Sequence, residues 1–149
     1  VLRWLWMPGA RDPARAAYVT ELESFALEMG IAGAVAITPP TPAIADAYAA
    51  SDLVLQLSRR PEAFGRTVIE ALSVGRPVLG WDHGGVGELL RELQPAGAAP
   101  AFDAEALHAG ARALLTRDGR LPATIPAVPE RYSLRSMQDA TLRVYDELR

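Results

Sequence analysis

Short apolar runs of strand length alternate along this chain with segments whose apolar residues recur every three or four positions. Strands are expected at residues 2–7, 34–37, 53–57, 77–80 and 98–102, and helices at 14–29, 44–50, 65–75, 87–93, 103–115 and 134–148. Asp103 and Ser133 are predicted to cap the last two helices. Strands that alternate with helices at this spacing favour parallel pairing with helices on both faces of the sheet. The pattern predicts the α/β class, a doubly wound parallel sheet in three α/β/α layers, with ligands beyond the carboxyl ends of the strands.

Composition excludes several function classes. Half of the 149 residues are hydrophobic and 22% are charged, which argues against a disordered chain, and no apolar run is long enough for a membrane span. The chain has no cysteine and two distant histidines, His83 and His108, which argues against a zinc site. A net charge of -3 argues against nucleic acid as a partner. Catalysis is therefore expected to use carboxylates, arginines, hydroxyls or backbone groups.

The densest group of chemistry-bearing residues lies at 58–72, where the third expected strand ends and a helix follows a turn. Gly65 lets the backbone approach a ligand closely, and the first amides of the helix, at Gly65, Arg66 and Thr67, have no partner inside the helix. With the helix dipole behind them, these N–H groups form an anion site. A phosphate or diphosphate fits such a site without any basic side chain.

Two carboxylates flank this expected anion site. Glu62 lies just before the helix and Glu70 lies on the fifth residue after Gly65, roughly 7–8 Å further along the helix axis at 1.5 Å per residue. Carboxylates are poor phosphate ligands but good acceptors for paired hydroxyl groups. One glutamate for each sugar of a nucleotide-sugar is the simplest interpretation. For Glu62, stabilisation of the helix dipole is the alternative.

The segment resembles a known enzyme family. Glu62 and Glu70 form an E-x7-E motif, and further elements stand before and after it in the family's order: Ala50-Ser51-Asp52, Gly75-Arg76-Pro77-Val78 and Gly84-Gly85-Val86-Gly87-Glu88. Together they resemble the group 1 retaining glycosyltransferases of the GT-B fold. The resemblance covers nearly the whole chain and implies the Rossmann-like, C-terminal, donor-binding half of such an enzyme.

The resemblance implies roles for individual residues. Glu70 would bind the ribose, and Glu62, the candidate catalytic residue, would hold donor-sugar hydroxyls and orient the sugar ring. Backbone at Phe64, Gly65, Arg66 and Thr67 would meet the sugar or the diphosphate, with the Phe64 ring acting as a packing anchor. Thr38, at the end of the second strand, would lie where the family reads the nucleotide base, and Gly84 and Gly85 would form a loop near the sugar. The family's reaction needs no metal.

The resemblance also implies that residues 1–149 are one donor domain of a longer enzyme. The family's acceptor domain, the first strand and helix of the donor domain, and a basic pair that neutralises the leaving diphosphate do not precede Val1. We therefore expect the isolated chain to transfer nothing. The intact enzyme would move a glycosyl group to a saccharide or a lipid-linked acceptor in the bacterial cytoplasm, for example in polysaccharide biosynthesis, with peripheral association at the inner face of the membrane.

Other interpretations stay open. The same fold serves nucleotide-sugar epimerases and phosphorylases, and an α/β domain of this size can be a non-catalytic module that binds a protein partner. The side chains of Arg59, Arg60 and Arg66 are expected to be solvated, with contact to phosphate or acceptor as the alternative, and His83 is expected to make a polar contact. Aromatic residues at expected strand and helix positions (Trp4, Trp6 and Phe25) are predicted to pack in the core.

Overall fold

Parallel strands separated by helices make up the part of the chain that the computed structural model describes, residues 4–6, 13–39, 41–115 and 125–148. The chain divides into two compact units, Val1–Ile44 and Ala45–Arg149. Each described strand pair is parallel, and helices alternate with the strands. The predicted α/β class is therefore confirmed.

The N-terminal unit pairs β1 (Trp4–Trp6) with β2 (Val35–Ile37), and α1 (Pro13–Glu28) connects them. Gly30, with a φ of +69°, turns the chain out of α1, and the Ile31 N–H returns to the Ala26 carbonyl at 2.9 Å. Ala26 is buried, whereas Phe25 is 56% exposed, so the prediction of Phe25 as a core residue was wrong. The side chains of Trp4 and Trp6, also predicted in the core, lie outside the described residues.

The C-terminal unit contains the longer sheet, with β3 (Val54–Gln56), β4 (Val78–Trp81) and β5 (Ala98–Ala99) in the order β3-β4-β5. Gln56 lies opposite Gly80, and Gly80 lies opposite Ala98. The helices of this region are α2 (Ile44–Ala49), α3 (Arg66–Ser73), α4 (Gly84–Leu93), α5 (Ala104–Leu114) and α6 (Leu134–Glu147).

The central strand β4 is buried along its whole length because helices cover both of its faces. Leu79 packs in a cluster with Leu107 and Leu114 of α5. On the other face, a Cβ atom at Gly80 would lie within 3.2 Å of Val86 and Leu90 of α4. The sheet of this unit is thus covered on two sides, as expected for a doubly wound arrangement.

A buried glutamine completes the amino end of β4. Gln94, only 6% exposed, accepts a hydrogen bond from the Val78 N–H through Oε1 at 2.9 Å and donates to the Val78 carbonyl through Nε2 at 3.1 Å. Its side-chain amide therefore satisfies both backbone groups of Val78, as a neighbouring strand would.

Two element boundaries differ from the sequence expectation. The strand expected at 98–102 ends at Ala99, before Pro100, which has no N–H for strand pairing, and Phe102 leaves the extended conformation with a positive φ of 65°. Helix α4 begins at Gly84 rather than at residue 87.

Both helix caps inferred from sequence are confirmed, since Asp103 accepts from the Ala106 N–H at 2.9 Å and Ser133 accepts from the Ser136 N–H at 3.1 Å.

The last helix, α6, buries none of its residues. Its large apolar side chains are exposed at Leu134, Met137, Leu142, Val144 and Tyr145. Within the described ranges, the structure contains no helix that is both long and apolar enough to span a bilayer.

Candidate functional site

The segments that follow β3, β4 and β5 meet at the carboxyl edge of the sheet. The His83 ring, after β4, lies with Nε2 3.0 Å from the Ser58 carbonyl oxygen, after β3. The same ring meets the edge of Phe102, after β5, at 5.5 Å between centroids. Because parallel strands end at one edge, side chains distant in sequence are brought together here, where the fold class places its ligands.

The turn before α3 has the backbone geometry predicted for an anion site. Gly65 adopts a φ of +89°, which favours glycine, and a Cβ atom there would lie 3.1 Å from the Val86 side chain. The Val68 N–H donates to the Gly65 carbonyl at 3.0 Å. The three preceding amides, of Gly65, Arg66 and Thr67, form no hydrogen bond with any residue that the structure describes. They are the free donors that a helix N-terminus offers to an anion.

The glycine pair of α4 supports the loop that carries Glu62. Gly85 donates its N–H to the Glu62 carbonyl at 2.8 Å, and a Cβ atom on Gly85 would come within 2.6 Å of the Phe64 carbonyl oxygen. A Cβ atom on Gly84 would lie 2.8 Å from the Glu62 carbonyl oxygen. The prediction of a loop at Gly84 and Gly85 was therefore wrong, because both residues belong to the first turn of α4, against the 61–64 backbone. Their contact with a sugar stays a prediction.

The Glu62 carboxylate is exposed and hydrogen-bonded. Gln56, the last residue of β3, donates from Nε2 to Glu62 Oε2 at 3.0 Å. The Gln56 Oε1 accepts from both the backbone N–H and the hydroxyl of Ser58, at 3.2 and 3.1 Å. Glu62 thus contacts the end of β3, and it keeps acceptor positions free for the hydroxyl groups of a ligand.

The Glu70 carboxylate is held from two sides. Arg66, one turn earlier on α3, donates to Oε1 from Nη2 at 2.8 Å and from Nε at 3.2 Å. Tyr48 of α2 donates its hydroxyl to Oε2 at 3.3 Å. Burial raises the pKa of Tyr48, a hydrogen bond with Thr67 lowers it, and the charge of Glu70 raises it again. The phenol therefore remains a protonated donor at neutral pH.

Phe64 lies in the loop between Glu62 and α3. Phe64 is 50% exposed, so the prediction that its ring is a packing anchor was wrong, and its ring centroid lies 6.3 Å from that of Tyr132. Tyr132 in turn donates its hydroxyl to Glu92 of α4 at 2.8 Å, and Arg131 forms an ion pair with the same carboxylate.

Thr38 follows β2 in the N-terminal unit, where its hydroxyl is buried without a hydrogen-bond partner in the described part of the chain.

An aromatic group borders the same strand ends. Phe102 is 55% exposed, contacts the Trp81 ring at 5.8 Å, and has the Arg59 guanidinium 5.9 Å from its ring centroid. Arg59 was expected to be simply solvated, and it makes this cation–π contact instead. Among the residues that the structure describes, no group of three or more His, Cys, Asp or Glu side chains could hold a metal ion.

Sequence reasoning missed two residues that contact the paired glutamates. Gln56 is the one polar residue in the apolar run 53–57, and this break in the pattern could have drawn attention to it. Tyr48 lies in a short alanine-rich helix, and nothing in the sequence around it indicates a contact with Glu70. Both contacts join elements that are separated along the chain.

Comparisons with known proteins identify relatives. The D-inositol 3-phosphate glycosyltransferase of Rhodococcus jostii is 32% identical over 143 residues, which is 93% of this chain and 31% of that protein. The enzyme of the same description from Gordonia bronchialis is 48% identical over 69 residues, 45% of this chain and 15% of its own length. The chain therefore spans less than a third of these relatives.

Solved structures with similar folds include complexes with nucleotide ligands and a glycosyltransferase. Anabaena Alr3699/HepE in complex with UDP has a TM-score of 0.55 and 32% identity, over 59% of this chain and 24% of that one. Its complex with UDP and glucose has a TM-score of 0.53 and 33% identity, over 57% and 23%. A glycosyltransferase from Rickettsia africae shares the fold across 98% of this chain and 48% of its own, with a TM-score of 0.75 and 19% identity.

The family model described as "Glycosyl transferases group 1" matches residues 15–127, which include β3, α3, β4 and α4 and thus the whole glutamate-bearing segment. With this match and relatives 32% identical across 93% of its length, the chain belongs to the group 1 glycosyltransferases.

Proposed function

We propose that this chain is the donor-binding domain of a retaining glycosyltransferase and that it holds a nucleotide-diphosphate sugar at the carboxyl edge of β3, β4 and β5. One observation carries the proposal. Three free backbone amides at the start of α3 lie between two hydrogen-bonded glutamates, Glu62 and Glu70. The amides are donors that bind an anion, and the carboxylate on either side accepts hydrogen bonds from hydroxyl groups. This order matches the order of groups in a sugar–diphosphate–ribose ligand.

The diphosphate binds the N-terminus of α3. The amides of Gly65, Arg66 and Thr67 and the helix dipole stabilise the negative charge that builds up on the diphosphate as the glycosidic bond breaks. Because these donors are backbone groups held by the packing of Val68 into the core, they need no rearrangement during the reaction.

The two glutamates bind the sugars on either side. Glu70 accepts hydrogen bonds from the ribose hydroxyls, and Glu62 accepts from the transferred sugar and orients its ring. The Arg66 guanidinium is 82% exposed at the start of α3, so it can exchange Glu70 for a phosphate group. Such an exchange releases Glu70 Oε1 for the ribose.

The similar solved structures support a nucleotide-sugar ligand. Alr3699/HepE is described with UDP and with UDP and glucose, and its similarity to this chain is above 30% identity. UDP and UDP-glucose are therefore the first ligands to test.

The remaining functions require parts of a longer enzyme. We propose that an acceptor domain supplies the saccharide or lipid-linked acceptor site and that closure of the two domains excludes water. The donor domain alone is expected to bind and not to transfer. The reaction is proposed to use no metal or cofactor and to take place in the cytoplasm, with peripheral association at the membrane's inner face.

A thermal-shift panel of UDP, GDP, ADP and UDP-glucose tests the donor site. A ligand at about 100 times its Kd stabilises the folded chain by about 2.7 kcal/mol, so at least one nucleotide should raise the Tm clearly. The Glu70→Ala variant should bind it about 10- to 150-fold more weakly, because a charge-assisted hydrogen bond is lost.

Glu23→Ala, at an exposed glutamate of helix α1, is the control and should respond like the wild type. A wild-type chain that responds to none of the nucleotides contradicts the proposal and favours a protein-binding module. A full response in Glu70→Ala would place the ribose contact elsewhere.

A further inference from the structure

We propose that Gln56 is a positioning residue for the donor sugar, acting through Glu62. The inference rests on the proposed function, in which Glu62 binds the hydroxyls of the transferred sugar. Gln56 ends β3, and its Nε2 donates to Glu62 Oε2 at 3.0 Å. It therefore connects a rigid strand to a carboxylate that stands on an exposed loop.

The orientation of the Gln56 amide is fixed by its own neighbours. Both hydrogen-bond donors of Ser58, the backbone N–H and the hydroxyl, lie within 3.2 Å of Gln56 Oε1. An amide turned the other way would set its NH2 group against the Ser58 backbone N–H and its oxygen against the Glu62 carboxylate, which only accepts. The oxygen must therefore face Ser58, and the nitrogen must face Glu62.

The base of the Gln56 side chain is equally well fixed. The Gln56 backbone lies opposite Gly80 in the β3–β4 pair, and a Cβ atom on Gly80 would come within 2.9 Å of the Gln56 carbonyl oxygen. The Ser58 carbonyl oxygen lies 3.0 Å from His83 Nε2, at the start of α4. The group that orients Glu62 is thus attached to two strands and a helix.

Glu62 is consequently held at two points, its carbonyl by the Gly85 N–H and its carboxylate by Gln56. An exposed glutamate without the second contact loses side-chain entropy when it binds a sugar. A glutamate that is already oriented avoids most of that cost. The Gln56 contact should therefore strengthen binding of the sugar and leave binding of the nucleotide unchanged.

The test compares Kd values for UDP-glucose and UDP by calorimetry. In Gln56→Met, which keeps the side-chain length and removes both polar atoms, the Kd for UDP-glucose should rise about three- to tenfold with the Kd for UDP unchanged. Gln56→Glu keeps an acceptor for Ser58 but cannot donate to Glu62, so it should also lose the sugar preference. Glu62→Gln gives the effect of losing the carboxylate, and Gln138→Met, at an exposed glutamine of α6, is the matched control.

The outcomes separate this inference from the proposed function. If wild type binds neither UDP nor UDP-glucose, the inference falls together with the UDP donor site. If UDP binds but the sugar adds nothing, or if Glu62→Gln keeps the sugar preference, Glu62 does not hold the sugar and the inference is overturned. It is also overturned if Glu62→Gln loses the preference while Gln56→Met and Gln56→Glu keep it. Should Gln56→Met fail to fold, Gln56→Glu decides.

Discussion

Replacing Gly85 by alanine tests whether the glycine pair of α4 supports the loop that carries Glu62. The new Cβ atom would lie 2.6 Å from the Phe64 carbonyl oxygen and 2.7 Å from that of Ala63, both backbone atoms. Since comfortable contact begins near about 3.5 Å, the loop must move by roughly 0.5–1 Å. Overpacking of this kind costs about 1–3 kcal/mol, and the preference of helices for alanine over glycine returns at most about 1 kcal/mol.

We therefore expect Gly85→Ala to lower the free energy of unfolding by about 1–2 kcal/mol in urea titrations. Because the moved segment carries Glu62, the Kd for UDP-glucose should rise more than the Kd for UDP. Gly33→Ala is the matched control, since nothing lies within 4 Å of a Cβ atom at Gly33. It should change stability by less than about 0.5 kcal/mol. Wild-type stability and wild-type UDP-glucose binding in Gly85→Ala would refute the packing argument.

Two further predictions concern buried polar groups. Gln94→Leu leaves the N–H and carbonyl of Val78 buried without partners, so the free energy of unfolding in urea should fall by about 2–5 kcal/mol; a loss under about 1 kcal/mol would be inconsistent with this. Because the pKa of Tyr48 is raised from 10.0, the unfolded chain loses the phenolic proton at a lower pH than the folded chain does. The stability of the wild type should therefore fall as the pH rises above about 10, and Tyr48→Phe should remove part of this fall. Urea midpoints between about pH 8 and 11 measure it, and an equally steep fall in Tyr48→Phe would contradict the burial of this group.

Local chemistry made several features predictable. Gly65 was expected at a turn, and Asp103 and Ser133 at helix starts, because each has a conformational or hydrogen-bonding property that acts over two or three residues. The alternation of strands and helices likewise reports on burial patterns that short segments encode. These expectations needed no knowledge of which elements meet.

The errors arose where distant segments override a local preference. The family resemblance implied a loop at Gly84 and Gly85, but both residues lie in α4, where the 61–64 backbone lies against them and leaves no room for side chains. Phe25 lies at an apolar helix position and is nevertheless exposed. The strand expected at 98–102 ends at Ala99, and Phe102, beyond its end, contacts the rings of Trp81 and His83.

The sequence by itself determined the α/β class, the family resemblance and the position of the two glutamates relative to the start of a helix, since these follow from spacing along one segment. The i,i+4 spacing already allows the Arg66–Glu70 ion pair, but only the tertiary structure decided which residues outside α3 contact the glutamates. Gln56 and Ser58 reach Glu62 from the end of β3, and Tyr48 reaches Glu70 from α2. Hydrogen bonds act over about 3 Å, so they depend on how the elements pack and not on any pattern within them.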